Sequence, residues 1–287
     1  MDAEPLTPSR AAYRITHILN AVSPIHGGHR FPVDVATVAK ECAHIFRWSD
    51  PITRVEPASI PNFEGALFPN AEKSEWMLLY NNTIRSPGRI RFTQAHELGH
   101  YLLHRTKREN FQCGMDDVIN RSDEDVSIEV QADRFASTLL MPLDDFRAQT
   151  PNSIDLDVLG AASDRYGVSL LATMLTWLKW AECSALMVVH RDGFMRWAYS
   201  SKLAMKNGAF FRTKGVAAPI PEQSLAANTG VVHERSGVEL AASVWFPHAP
   251  ADASLREMKI SSEEYDLVVT LLVLPKGVPV WKPWTDR

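Results

Sequence analysis

The chain has 287 residues, a formal net charge of -4 and a pI near 6.2, which leaves room for two domains and argues against a globally basic nucleic-acid binder. No apolar run is long enough to span a bilayer, and residues 1–21 lack a secretory apolar core, so no membrane association is expected. Cys42, Cys113 and Cys183 are too scattered for a disulfide framework, which points to a reducing cytoplasm.

Residues 9–21 carry Ile15, Ile18 and Leu19 at helical spacing, and Gly27-Gly28 breaks the chain after them. A second helix is expected over 33–46, with Cys42 a small buried residue on its apolar side. The pattern then turns to short strands at 52–55, 65–68 and 76–80, with Pro69-Asn70 between the last two. The strand at 76–80 is either an edge open to an extended peptide, by β-addition, or an ordinary central strand. Arg85, Arg89 and Arg91 follow. They read as a solvated turn, or as donors to a carboxylate or a tetrahedral oxyanion.

Residues 94–104, Gln-Ala-His-Glu-Leu-Gly-His-Tyr-Leu-Leu-His, contain a His-Glu-x-x-His motif. Residues four apart share a helix face, so His96 and His100 can direct two imidazoles at one metal ion. Glu97 is rotated off that axis and within reach of the open coordination position. There a carboxylate can take the proton of a water that a metal has acidified. Ala95, Leu98, Gly99, Leu102 and Leu103 make the helix apolar on much of its surface. His104, one turn beyond His100, reads as structural.

Residues 105–128 are polar and acidic, with Asp116, Asp117, Asp123, Glu124 and Asp125, and read as a long loop over the site. Cys113 inside it is either an ordinary thiol or an inhibitory fourth ligand, a thiolate occupying the position of the catalytic water. A helix is then expected from 129 until Pro142 ends it. Its small Ala132 and Ala136 permit a close approach to the first helix. Glu129 is the candidate third metal ligand, and Asp133 is placed to hydrogen-bond a ligand histidine from behind.

Residues 151–180 read as helix, turn, helix, with the turn at Gly167-Val168-Ser169. The second of these helices offers Lys179 as its one basic residue, which favours packing over DNA reading. Strands are expected at 185–190, 194–199, 239–245 and 267–274. Between His190 and Gly215 stand Arg191, Arg196, Lys202, Lys206, Arg212 and Lys214 against one acid, Asp192, with Phe194, Trp197, Tyr199, Phe210 and Phe211 interleaved. That mixture is either a half-buried sheet or a track for single-stranded nucleic acid.

Residues 91–104, Arg-Phe-Thr-Gln-Ala-His-Glu-Leu-Gly-His-Tyr-Leu-Leu-His, with Glu129-x-x-Ala132-Asp133-x-Phe135-Ala136-x-x-Leu139-Leu140-Met141-Pro142, resemble the ImmA/IrrE family of metallopeptidases. The resemblance is strong over about 31–142, fair to 180 and weak beyond. It implies an α+β chain. A zincin-like metallopeptidase domain would occupy 1–150, a helix-turn-helix-like linker 151–182, and a C-terminal α+β, GAF-like sensor domain 183–287. It further implies Zn2+ on His96, His100 and Glu129, with Glu97 as general base. The implied substrate is a helix-turn-helix (XRE-type) repressor whose cleavage relieves repression after stress such as DNA damage. Single-stranded DNA is then a candidate activator. CapP-type members, which accompany anti-phage CBASS operons, are similar too, including a cysteine in the loop that holds Cys113. The other readings are a DNA- or ligand-binding regulator with a structural metal site, and a toxin-like peptidase paired with an antitoxin.

Overall fold

Capping side chains set where the first helices begin. Thr7 accepts from the Arg10 amide ahead of α1 (Pro8–His26), Asp34 from Thr37 ahead of α2 (Val35–Phe46), and Ser86 from Arg89 ahead of α3 (Pro87–His104). Proline at the first position of α1 and α3 costs no hydrogen bond there, and Gly27 closes α1 in the left-handed region that glycine tolerates. The computed structural model describes residues 6–27, 29–59, 63–107, 111–114, 123–151, 154–263 and 265–281. It is a mixed α and β chain of two compact units, residues 1–148 with 163–169, and residues 149–162 with 170–287. Among the described residues, no helix is long and apolar enough to cross a membrane.

The first unit holds a four-stranded sheet of β1 (Ile52–Ala58), β2 (Phe63–Pro69), β3 (Trp76–Asn81) and β4 (Phe111–Gly114), in the order β1-β3-β2-β4. β3 pairs in parallel with β1 and antiparallel with β2, so 76–80 is a central strand and not the edge open to a peptide. β4, antiparallel to β2, lies on one margin and β1 on the other. Pro57 is tolerated because β1 is an edge strand, with one side free of the ladder among the described residues.

α3 packs against β2 and β3 and against α4 (Asp123–Leu140), while α1 packs on α4. A Cβ built on Gly99 would stand 3.1 Å from the Ala132 Cα and 3.1 Å from the Phe135 Cδ1. Glycine there, facing alanine, lets the two backbones meet. Leu98, Tyr101, Phe135, Leu139 and Leu140 are fully buried around this contact, each contributing about 1.5–3 kcal/mol of burial. The C-terminal end of α3 is tied to Asp50. Tyr101 donates to its carbonyl at 2.9 Å, Arg105 and the Trp76 indole donate to its carboxylate at 2.9 and 3.2 Å, and the Arg105 guanidinium lies over the Trp48 ring.

α4 begins at Asp123, so the stretch read as a loop over 105–128 is instead β4 and the first turns of a helix, as far as it is described. Acidic residues suit a helix N-terminus, where the macrodipole is positive. Asp116 and Asp117 lie outside the described residues. Cys42 is buried in α2, as its apolar neighbours imply, and burial pushes its thiol well above the ordinary range.

In the second unit β5 (Ser184–Arg191), β6 (Phe194–Ser200), β7 (His233–Ala241), β8 (Ser254–Ser262) and β9 (Leu267–Leu274) form an antiparallel sheet in the order β6-β5-β9-β8-β7. Asp192 and Gly193, both at positive φ, make the tight turn between β5 and β6. α7 (Leu170–Trp180) packs its buried Met174, Trp177 and Leu178 onto β5 and β6. Residues of the preceding α6 (Leu156–Tyr166) are shared between the two units. The strand expected at 239–245 starts earlier and stops at Ala241, where a 3-10 turn over Ala242–Val244 takes over.

Sequence patterning misses β8 because Glu257 and Lys259, 0% and 2% exposed, sit on its inward face. Both are partnered. Glu257 accepts from the Trp245 indole at 2.8 Å and from the amides of Ala226 and Leu225 at 2.7 and 3.2 Å, and Lys259 donates to the Asn228 carbonyl at 2.6 Å. Burial, with Lys259 nearby, brings the His190 imidazole in β5 down to about 4. Its ordinary value is near 6.5, so the unfolded chain takes up this proton first as the pH falls. Stability is therefore fully present above pH 6.5 and declines toward pH 4, by about 3 kcal/mol in total. The buried Glu257, shifted upward, acts in the opposite sense. The difference in pH dependence between wild type and His190→Leu isolates the histidine. Denaturant melts at pH 7 and 4.5 are expected to show a shallower loss in the variant, and parallel losses would refute the assignment.

Candidate metal centre

Two elements build the centre, α3 with His96, Glu97, His100 and His104, and α4 with Glu129 and Asp133. The i, i+4 spacing turns both ligand-candidate rings of α3 toward α4, and the Gly99–Ala132 contact brings α4 close enough for a carboxylate to meet them. The Nε2 atoms of His96 and His100 are 2.9 Å apart. Glu129 places Oε2 3.2 Å from the His96 Nε2 and Oε1 3.4 Å from the His100 Nε2. One ligand atom from each of the three residues lies within 4.8 Å of the others. Ligands bonded at about 2.0–2.1 Å to a tetrahedral zinc stand roughly 3.3–3.4 Å apart, so this donor set fits such an ion.

The far nitrogen of each ring is held from behind. His96 donates from Nδ1 to the Asp133 Oδ1 at 2.9 Å, and the His100 Nδ1 lies 3.2 Å from the Nδ1 of His104. Hydrogen on both ligand Nδ1 atoms puts the lone pair on Nε2, the atom that faces the other ring and Glu129. His104 must then be the neutral acceptor. Burial, with His100 beside it, brings it down to about 4, in keeping with that role. Desolvation likewise lowers His100, against the pull of Glu129. Burial pushes the Glu129 carboxyl up, and hydrogen bonds and charge from His100 and His96 in their protonated forms outweigh it and lower the group; a divalent cation in place of those protons would favour the carboxylate in the same sense. Two neutral imidazoles and one carboxylate match the preference of a borderline divalent cation.

Glu97 is fully buried, on the side of α3 that meets the sheet. A Cβ built on Gly65 of β2 would fall 2.8 Å from the Glu97 Oε1 and 2.5 Å from the Thr93 Cγ2. Gly65 therefore makes the room in which this carboxylate sits, a role invisible in the sequence. Phe111 of β4 is a second such residue. It stacks on His100 with ring centroids 4.5 Å apart and an 18° interplanar angle, closing one side of the site against water.

The other predicted residues are placed as follows. Arg89 pairs with Glu64 and Arg91 donates to the Gly167 carbonyl, and Arg85 is exposed. The backbone of Cys113 pairs with Gly65 in the β2–β4 register, and its side chain lies outside the described residues. The basic and aromatic residues beyond His190 have varied surroundings. Arg191 pairs with Asp266 at 3.1 Å, Arg196 and Trp197 alternate along the edge strand β6, Lys206, Arg212 and Lys214 are exposed, and Phe211 stacks on Phe246. Lys202 alone among the basic residues named there lines a cavity of about 310 Å³ with Tyr199, Phe210, Phe211 and Lys179.

Residues 49–176 match the Peptidase_M78 family model, an IrrE N-terminal-like domain. The match takes in β1 to β4, α3, α4 and every residue of the centre, and ends within α7. Over those residues the chain is similar to a metallopeptidase domain of the ImmA/IrrE kind. No curated protein matches the chain.

Proposed function

We propose that the chain is a zinc-dependent endopeptidase that cleaves a helix-turn-helix repressor of the XRE type, relieving repression of a stress- or phage-defence operon. One observation carries the reading: His96, His100 and Glu129 bring their ligand atoms within 4.8 Å of one another, and Glu97, the residue after His96, is fully buried. A structural metal has no use for that fourth group. Zinc held by these three residues supplies a Lewis acid that brings the pKa of water toward neutrality.

The chain's own residues do the rest. Asp133 and His104 keep the ligand rings in the required tautomer. Phe111 excludes water from the face of His100. Glu97 takes a proton from the attacking water as its oxygen bonds to the scissile carbonyl carbon. It then returns that proton to the departing nitrogen as the C–N bond breaks. With β3 central, the edge of the sheet beside the site is β4, the strand that an extended substrate segment would join.

The register between Cys113 and Gly65, which borders Glu97, supports Cys113 as the inhibitory ligand of a latent enzyme. The five-stranded second unit is the sensor, single-stranded DNA its candidate activator, and a CBASS-type operon its setting. The cavity that joins Lys202 and Lys179 to Tyr199, Phe210 and Phe211 supports a nucleic-acid contact of modest extent.

The test is a gel assay of the full chain with the repressor encoded beside it, with and without single-stranded DNA, after chelation and after zinc is restored. Cleavage that chelation abolishes and zinc restores is expected, stimulated by the DNA. An intact repressor in every lane, with zinc shown to be bound, would move the weight to a regulator with a structural metal site.

A further inference from the structure

Away from the metal centre, the first unit holds two adjoining cavities beside α1 and α5 (Leu143–Gln149). One, of about 500 Å³, is lined by Tyr13, Thr16, His17, Leu143 and Arg147. The other, of about 390 Å³, is lined by Arg30, Phe31, Pro142, Asp145 and Arg165. Asn20 and Asp144 line both and join them. Each falls in the size range of small-molecule sites.

Arg30 is the unusual group here. Its Nε donates to the Asn20 Oδ1 at 2.6 Å, and its guanidinium carbon lies 4.3 Å from the centroid of the Phe31 ring. These two contacts fix the guanidinium plane. The remaining nitrogens, Nη1 and Nη2, are shielded from solvent and have no hydrogen-bond partner among the described residues. Burial lowers the guanidinium from its ordinary value, with Asp145 and Asp144 opposing, so the cation is held where solvent does not stabilise it well. A second arginine, Arg165, lies 4.8 Å from the Phe31 centroid, but its donors are already engaged by the Asp145 carboxylate at 2.8 and 2.9 Å. Tyr166 also donates to Asp145, at 2.6 Å. Asp145 is thus neutralised within the protein, whereas the fork of Arg30 is not.

We infer that Arg30 anchors a second ligand site in the first unit, one that takes a carboxylate on the paired Nη1 and Nη2 donors. A planar two-oxygen anion matches that fork with two parallel hydrogen bonds. A single negative charge also suits the surroundings, because Asp144 on the rim repels a dianion such as phosphate. Ring stacking and the Asn20 bond orient the donors before the ligand arrives, so little ordering remains to oppose binding. The carboxylate belongs either to a free small acid or to the end or an acidic side chain of a protein segment.

Calorimetric titration of the full-length chain separates these sources. The probes are the monoanions acetate and benzoate, with sulfate and inorganic phosphate for contrast, and a short peptide carrying either a free or an amidated C-terminus. Saturable binding of the carboxylates is expected, weakened about tenfold or more in Arg30→Lys, which keeps the charge but lacks the fork, and in Arg30→Gln. Affinity for acetate or benzoate identifies a small-acid site. Affinity confined to the free-carboxylate peptide identifies a protein segment. Unchanged affinity in both variants, sulfate or phosphate binding as tightly as the carboxylates, or no saturable carboxylate binding below about 10 mM overturns the inference. If the variants do not fold, the side-chain NH signals of Arg30 in the wild type give the same answer, since they must shift with carboxylate and not with sulfate.

Discussion

Glu97→Gln is expected to lower the rate of repressor cleavage by about two to four orders of magnitude while leaving zinc content and the melting midpoint as in wild type. The two side chains have nearly the same size, so the space beside Gly65 and Thr93 that Glu97 occupies stays filled. What changes is the chemistry. An amide cannot take the proton of the attacking water or hand it to the departing amine. His96, His100 and Glu129, which hold the ion, are untouched by the change. Single-turnover cleavage on gels and metal analysis of the purified variant check both halves. Wild-type cleavage by the variant would place the general base elsewhere. Lost zinc would mean that Glu97 acts through the metal site's integrity instead.

Asp133→Ala is the second large effect, expected to weaken zinc binding or cleavage by roughly 10- to 100-fold. The Asp133 carboxylate accepts from the His96 Nδ1 at 2.9 Å while its side chain is 57% exposed. Exposure means that little packing is lost, and the change in folding stability should stay within about 0.5 kcal/mol. The loss falls on the orientation and basicity of the His96 ring. Competition for zinc against a chromophoric chelator, run beside a denaturant melt, separates the two. Weakened zinc with an unchanged melt is the expected pair. A lowered melt with unchanged zinc affinity would make Asp133 a structural residue. The partner of the other ring, His104, is wholly buried, so its replacement would mix both effects, and Asp133 is the cleaner probe.

The parts of the centre that local spacing controls are legible in the chain alone. His96 and His100 share a helix face because 3.6 residues complete a turn. Ala132 and Ala136 mark the side of α4 that meets α3, which put Glu129 and Asp133 forward as candidates. Serine and proline at 86 and 87 mark the start of α3, though the motif by itself suggested a later one. Two stretches misled the reading for local reasons: the acids at 123–125 look like loop yet open a helix, and Glu257 and Lys259 look solvent-facing yet are buried with partners. A helix N-terminus suits the acids, and distant amides and a carbonyl offset the charges of Glu257 and Lys259; none of this is written in the neighbouring residues.

What the tertiary structure alone decided is the set of contacts made across long sequence separations. The central position of β3 follows from β1 pairing along its other side, and a strand's own residues do not say how many neighbours it has. Gly65 matters because β2 crosses α3 at Glu97. Phe111 matters because β4 lies over His100, and Arg30 because Asn20, Phe31 and α5 converge around it. His104, read from sequence as structural, has its Nδ1 3.2 Å from the Nδ1 of His100, where a neutral ring can accept that ring's proton. Spacing along a helix fixes which side chains share a face, while the pairing of strands and the docking of helices fix what that face meets.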